Sequence, residues 1–395
     1  MKTIPIVAIK ENQTAKISWE VSPKKQWVKD RELADRAISK KEKPIVYEKS
    51  QNYIKKAQNG DPIPLIILNY DYLCNFQCDH CCADLFMHKT AKAEKADTRR
   101  KLNPQDVKMI ADQADEMGIG QFVLSGGEPL TYKAFDDVLK AIGPERFYIA
   151  TDTNAWFLSK EKALHLKKQG LDKVQISLDS FIEKEHDMFR KKKGSYKRIM
   201  EGIVNAKNAN LKVIIMTCLT KSRAYSEEFK NMLEWGKEVN VGIYVTYAKP
   251  VGVWEGDTSE MCGEKEFEQV KKYSEKYDVF TRTSGGHGLD IGCIAVKRSI
   301  TITKYGDVMP CPYIHLSIGN IFVEKLSAIL ARGLRIKHFS YGEVRTCLAG
   351  NKDHYFVKEY MPKIRGRVNK NGLYEGTIPY QKVFDTDDFV DGIVS

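Results

Sequence analysis

Three cysteines on one short stretch constrain this chain more than any other feature. Residues 73–83 read LCNFQCDHCCA and place thiols at Cys74, Cys78 and Cys81, a C-x3-C-x2-C spacing directly after the apolar run at 64–68. Three soft thiolates on one loop can face a common point, and such donors select iron–sulfur clusters or zinc. A free cysteine is often only a small core residue, but a loop leaving a strand seldom buries three thiols together. The fold therefore has to deliver this loop to a protected site.

Composition narrows the setting. A chain of 395 residues suits one large domain with a small one, or two ordinary domains. It has no run of eighteen apolar residues, so no membrane-spanning helix is expected. The N-terminal MKTIPIVAIKENQ has too short an apolar stretch, and no small-residue cleavage site, for a secretory signal. Nine cysteines, an odd number with three packed together, fit ligand duty in a reducing cytoplasm better than a disulfide framework.

The net charge of +11 is uneven, since the first sixty residues hold fourteen Lys/Arg against seven Asp/Glu. This balance suits an anionic partner: a phosphorylated substrate, an acidic peptide, or a lipid surface touched peripherally by the basic N-terminus. The plainer reading is a solvated lysine-rich surface. No nucleic-acid partner is expected.

Periodicity sets the fold class as α/β. Short β-rich runs at 64–70, 121–125, 147–151, 173–178, 212–219 and 241–247 alternate with helical periods. Asn103 and Pro104 signal the start of a helix over 105–117, Ser159 one over 160–169, and Ser195 one over 196–208. Strands alternating with helices of this length build a parallel sheet from βαβ units, and six units make a partial barrel. Residues 1–60 form a basic extension with a helix candidate at 27–40 and no recognisable module. The Asn-Gly-Asp-Pro turn at 59–62 opens the main domain, taken as 61–285.

In parallel α/β sheets, ligands bind at the C-terminal strand ends. The cysteine loop follows the first strand there. The second ends in Ser125, Gly126, Gly127 and Glu128, where two glycines admit close backbone approach and a carboxylate can accept from an ammonium. Thr151, Asp152, Thr153 and Asn154 end the third strand, and Ser177 and Asp179 the fourth, with Arg190 beyond. Each also has an ordinary reading as a cap or turn residue. Thr217 and Tyr247 are weaker candidates to line a substrate cavity.

The chain changes character after Arg282. The TSGGHG run at 283–288 is a glycine-rich turn without the helix context of a phosphate loop. Strand-like runs at 298–303 and 308–311 form a hairpin that can bring Cys293 and Cys311 together, with Cys347 downstream. Cys82 and Cys218 read as core residues.

The cysteine loop with the Gly-Gly-Glu motif on the next strand resembles the radical S-adenosylmethionine (radical SAM) superfamily. The resemblance covers roughly 64–362 and implies a partial (β/α)6 TIM-like barrel. It implies that Cys74, Cys78 and Cys81 bind a 4Fe–4S cluster whose fourth iron SAM caps. Gly126, Gly127 and Glu128 would hold the SAM amino group; Asn154, Ser177 and Asp179 would contact its ribose, its methionine part or the substrate. Arg190 would pair with its carboxylate. The family's usual aromatic before the third cysteine is here His80, which is not expected to bind iron.

The C-x12-G-x4-C spacing of Cys293, Gly306 and Cys311 resembles the SPASM and twitch extensions, which carry auxiliary clusters. That implies a small α+β twitch/SPASM-like domain at 286–362, followed by a tail at 363–395. With no C-x2-C after Cys311 and no cysteine after Cys347, the implied number is one auxiliary iron–sulfur cluster, on Cys293, Cys311 and Cys347. Its fourth ligand is open among Cys262, a non-cysteine residue, solvent and substrate, and zinc is the alternative metal.

The implied activity is reductive cleavage of SAM and hydrogen abstraction from a small molecule or lipid, supplied by a one-electron reductant such as flavodoxin or ferredoxin. Maturation of a ribosomal peptide or protein is the second reading. A non-enzymatic iron–sulfur or zinc protein is the third, but it has no need of the Gly-Gly-Glu motif.

Overall fold

Seven strands lie parallel and side by side in sequence order: β1 (Leu65–Asp71), β2 (Gln121–Gly126), β3 (Tyr148–Thr153), β4 (Lys173–Ser177), β5 (Lys212–Leu219), β6 (Gly242–Tyr247) and β7 (Val279–Thr281). The structure is a computed structural model and describes residues 25–58, 64–88, 91–281, 293–340, 346–365 and 375–392. Two helices, α1 (Gln26–Glu42) and α2 (Pro44–Gln58), precede the sheet. Its connections carry α3 (Ala91–Ala96), α4 (Pro104–Glu116), α5 (Phe135–Ile142), α6 (Lys160–Lys168), α7 (Glu183–Phe189), α8 (Ser195–Asn208), α9 (Glu227–Glu238) and α10 (Glu264–Lys276).

Local chemistry explains these boundaries. The Asn103 side chain accepts from the Asp106 amide, and Asp106 accepts in return from the Asn103 amide, which closes a capping box at α4. Ser159 caps α6 through the Lys162 amide. At α8 the expected cap differs. Gly194, at φ +81°, precedes the helix, while Ser195 sits buried in its first turn and donates to Asp187.

Strand alternation sorts the two faces of the sheet. Ile66, Leu68, Phe122, Leu124, Ile149, Val174 and Ile176 point outward into the helix layer and are fully buried. Each such side chain contributes about 1.5–3 kcal/mol by leaving water. The opposite face is concave and borders a partly open hollow of about 910 Å3, lined by Ile67, Val123, Lys173, Gln175, Met216 and Tyr244 among others. Six strands were expected, and a seventh, only three residues long, extends the edge beyond β6.

The C-terminal hairpin forms as expected, with β8 (Ser299–Ile302) antiparallel to β9 (Asp307–Met309). Its attachment to the barrel is new. β8 runs parallel to β1 with Leu65 opposite Ser299 and Leu68 opposite Ile302, so this region continues the barrel sheet beside the cysteine-bearing strand. The strands β10 (Leu316–Ser317) and β11 (Gly319–Asn320) and the helices α11 (Leu326–Arg335) and α12 (Tyr355–Glu359) follow.

Residues 375–392 do not hang loose. Their strand β12 (Ile378–Pro379) pairs with β10, Phe384 and Phe389 are buried, and Asp388 meets His338 at 2.9 Å and the Tyr360 hydroxyl at 2.5 Å.

The N-terminal helices cover the N-terminal strand ends. Lys43 reaches Asp172 at 2.6 Å, Lys49 reaches Asp115 at 2.5 Å, Arg31 pairs with Asp278, and Asp35 pairs with Lys212. These basic residues hold the helices to the barrel, a use of the charge that composition did not reveal. Residues 1–24, the turn at 59–62 and the glycine-rich run at 283–288 lie outside the described residues. Among those described, no helix is long and apolar enough to cross a membrane.

Candidate functional site

The cysteine loop leaves β1 and is pinned by backbone on two sides. On one side, the Gly127 amide donates to the Asp71 carbonyl (3.1 Å) and the Glu128 amide to that of Leu73 (2.8 Å). The glycines are there for this contact. Gly126 takes φ +115°, and a Cβ on it would lie 2.2 Å from the Asp71 oxygen; one on Gly127 would lie 2.1 Å from that of Leu73. The Tyr132 hydroxyl ties the same corner, donating to Asp71 and Ser125 carbonyls and accepting from the Gly127 amide.

On the other side lies the loop after β6. The Val253 amide donates to the Cys81 carbonyl at 3.1 Å. Gly252, at φ +65°, lets that loop pass so close that a Cβ would sit 1.9 Å from the same oxygen.

Burial pushes all three thiols up: Cys74 to about 11, Cys78 above its usual value, and Cys81 well above it. Left to the protein they stay protonated at neutral pH, and a bound metal has to displace the protons. Cys81 lies within electrostatic range of both Cys78 and Cys74. Among the described residues, however, no three His, Cys, Asp or Glu side chains close on one point. The donor chemistry still fits an iron–sulfur group: three desolvated thiols, one facing a guanidinium.

That guanidinium belongs to Arg190, whose nitrogen lies 3.6 Å from the Cys78 sulfur. Arg190 also pairs with Asp179 at 2.5 Å, and both are buried. Asp179 accepts from the Cys218 amide at 2.7 Å and lies 3.7 Å from the His80 imidazole. Burial pushes the Asp179 carboxyl up, but Arg190 outweighs it and holds the group well below the usual carboxylate range. Arg190, expected at the SAM carboxylate, thus has a carboxylate of the chain as its partner. Replacing Arg190 with Met strands a buried charge and should destabilise the chain by about 3–5 kcal/mol in denaturant unfolding. Adding Asp179→Asn should recover part of the loss.

His80 packs as an aromatic ring. Its ring stacks on Phe189 with centroids 4.6 Å apart and planes 7° apart, and Trp254 flanks it. Burial pulls its pKa down to about 4, so at neutral pH it is an uncharged ring.

The ends of β2 and β3 share a buried carboxylate. Glu128 accepts from the Thr153 hydroxyl (2.7 Å), the Asn154 amide (2.7 Å) and the Leu130 amide (3.1 Å). Burial raises its pKa to about 7 despite these donors. The Asn154 side chain donates to Asn75 in the cysteine loop at 2.9 Å, linking both corners. Ser177 ends β4, half-buried.

Thr217 and Tyr247 do not line the hollow. Thr217 accepts from Arg223 at 2.7 Å, Tyr247 packs on Phe267, and the cavity-facing positions are Met216 and Tyr244, as a two-residue period requires.

Cys293 and Cys311 flank the β8–β9 hairpin, and Cys347 lies further along the chain. The Val296 amide donates to the Pro310 carbonyl (3.1 Å), which holds the strand start after Cys293 against Cys311. Cys293 and Cys347 interact electrostatically, and the Leu348 and Ala295 amides point at the Cys293 sulfur. The Cys262 backbone carbonyl accepts from the Lys352 amide, but its thiol turns to the Leu219 carbonyl at 3.5 Å. One loop serves both cysteine groups: Gly252 lies on Cys81, while Lys249, buried over the Tyr313 ring, lies against the turn at Cys347 and Gly350. No sequence signal marked Tyr132 or Lys249.

A family model described as the radical SAM superfamily matches residues 69–236, and one described as an iron–sulfur cluster-binding domain, SPASM, matches 293–354. The chain carries a radical SAM domain followed by an iron–sulfur cluster-binding SPASM domain. It accordingly uses a 4Fe–4S cluster with SAM, and its second domain is of the auxiliary iron–sulfur type, not a zinc module. AdoMet-dependent heme synthases are among its relatives. That of Methanosarcina barkeri is 23% identical over 63% of this chain and 76% of its own; that of Nitratidesulfovibrio vulgaris is 22% identical over 76% and 88%.

The fold matches Streptococcus suis SuiB bound to its precursor peptide SuiA (TM-score 0.54, 18% identity, 71% of this chain and 68% of SuiB). It also matches anSMEcpe with bound AdoMet (TM-score 0.54, 14% identity, 76% of this chain and 98% of that one).

Proposed function

We propose that this radical SAM enzyme carries out an oxidation or rearrangement on a small-molecule or lipid substrate held inside its barrel. Cys74, Cys78 and Cys81 hold the SAM cluster, and Cys293, Cys311 and Cys347 an auxiliary one. When bound, these cofactors supply the electron that cleaves SAM, the 5′-deoxyadenosyl radical that takes hydrogen from carbon, and an acceptor or ligand for the substrate. Gly126, Gly127, Glu128, Asn154, Ser177 and Asp179 surround SAM, and an ammonium at Glu128 restores the counter-charge that burial withholds. Arg190 steadies the Cys78 thiolate through the N–H donor it turns to that sulfur.

The observation that carries this reading is one of position. The hollow of about 910 Å3 reaches Asp152 and Gln175, one and two residues before the ends of β3 and β4, the strands that lead into Asn154 and Asp179. That volume suits a compact ligand. Relatives named as heme synthases, or as a probable GTP cyclase of Metallosphaera sedula, support a compact substrate. Fold neighbours solved with peptides, SuiB and anSMEcpe, support the second reading, in which a side chain of a ribosomal peptide enters the hollow. A flavodoxin or ferredoxin is the natural electron donor.

Anaerobically reconstituted protein, given reductant and SAM, should form 5′-deoxyadenosine, read by chromatography. No product from fully reduced protein with intact clusters and candidate substrate present would overturn the enzyme reading.

A further inference from the structure

One lysine inside the barrel has no acid in ion-pair contact with it. Lys173 stands on β4, is only 9% exposed, and lines the hollow. Its ammonium lies 5.7 Å from the centroid of the Tyr148 ring, and no carboxylate among the described residues comes within ion-pair distance. The cations around it are differently placed: Lys43 has Asp172, Lys212 has Asp35 and Arg31 has Asp278. Asp152, on the adjacent strand, takes the amide of Gln175. Burial, with Lys212 nearby, pulls the Lys173 pKa down to about 8 against the weaker, more distant pull of Asp152 and Asp172, which leaves it charged at neutral pH. A buried ammonium without a counter-ion is costly unless something else supplies one.

We propose that Lys173 anchors an anionic group of the substrate, a carboxylate or a phosphate, inside the barrel. The inference rests on the reading of the hollow as the substrate site, and it adds a chemical class and a length. Lys173 precedes Ser177 by four residues, about 13 Å along the strand. A substrate reacting beside the strand ends therefore carries its anion roughly that far from the reacting carbon, less the reach of the lysine side chain. Helices α1 and α2 cover the N-terminal strand ends beneath it, with Val28 and Val46 buried there. A wholly apolar substrate would leave this charge without a contact partner.

The test follows thermal unfolding of the full, reconstituted chain at fixed ionic strength, titrated with millimolar glutarate or inorganic phosphate. At least one anion should raise the midpoint by about 2 °C or more. Lys173→Met should abolish the shift and Lys173→Arg should keep part of it. A response to glutarate alone identifies a carboxylate site, and one to phosphate alone a phosphate site. Without added anion, K173M should melt at or above the wild-type midpoint, because it removes an unbalanced charge. No shift with either anion, an equal shift in K173M, or a K173M midpoint well below wild type overturns the proposal. Because neither SAM nor reductant is present, these results are separable from success or failure of SAM cleavage.

Discussion

Replacing Cys74, Cys78 and Cys81 together with alanine should lower bound iron from about eight to about four per chain and abolish 5′-deoxyadenosine formation. The three thiols sit on one loop whose course is set by backbone, through the Gly127, Glu128 and Val253 amides, so their removal should leave the loop in place. The downstream cysteines depend on a different element, the β8–β9 hairpin, and should keep their cluster. Iron and sulfide analysis with EPR of the reduced protein separates the two. Full iron retention would sink the assignment of the first site. Loss of all iron would show that the two sites do not assemble independently.

Much of this architecture was legible because its signals are local. The β-rich runs marked six strands to within a residue or two, and the capping pair Asn103 and Asp106 placed α4. The cysteine loop and the Gly-Gly-Glu motif both fell at strand ends, as parallel sheets require. What escaped was non-local. Nothing in residues 299–302 says that they pair with β1 and not only with their own hairpin, because register between distant strands is settled by packing.

The N-terminal basic residues Arg31, Lys43 and Lys49 read as a surface because sequence shows charge but not its partner. Their acids, Asp115, Asp172 and Asp278, lie far along the chain. The partner that Arg190 has within the chain was hidden for the same reason. Its carboxylate, Asp179, is only eleven positions away, yet the ion pair forms because α7 turns the chain back on the β4 end. Thr217 and Tyr247 were misassigned more simply, since a one-residue shift in phase moves a side chain to the other face of its strand.

The bridge between the two cysteine groups yields a second large effect. Gly252→Ala puts a methyl group 1.9 Å from the Cys81 carbonyl oxygen and 2.7 Å from the Cys82 Cα, on a residue held at φ +65°. The left-handed conformation alone costs about 1–2 kcal/mol, and backbone atoms on both sides cannot yield as a flexible side chain would. The loop after β6 must therefore lift away, taking with it the Val253 amide that fixes Cys81. Iron at the first site should fall several-fold with little change in far-ultraviolet circular dichroism, because the strands beneath are untouched.

Gly350→Ala acts at the other end of the bridge, where a Cβ would lie 3.0 Å from the Cys347 sulfur, and should disturb the auxiliary signal first. Gly120→Ala meets only the Lys49 side chain at 3.5 Å, an ordinary contact, and should leave both signals alone. EPR of the three variants should therefore lose the SAM-cluster signal, the auxiliary signal and neither, in that order. Equal loss of both signals in G252A would mean that the bridge couples the clusters as one unit, so that a single loop governs the occupancy of each.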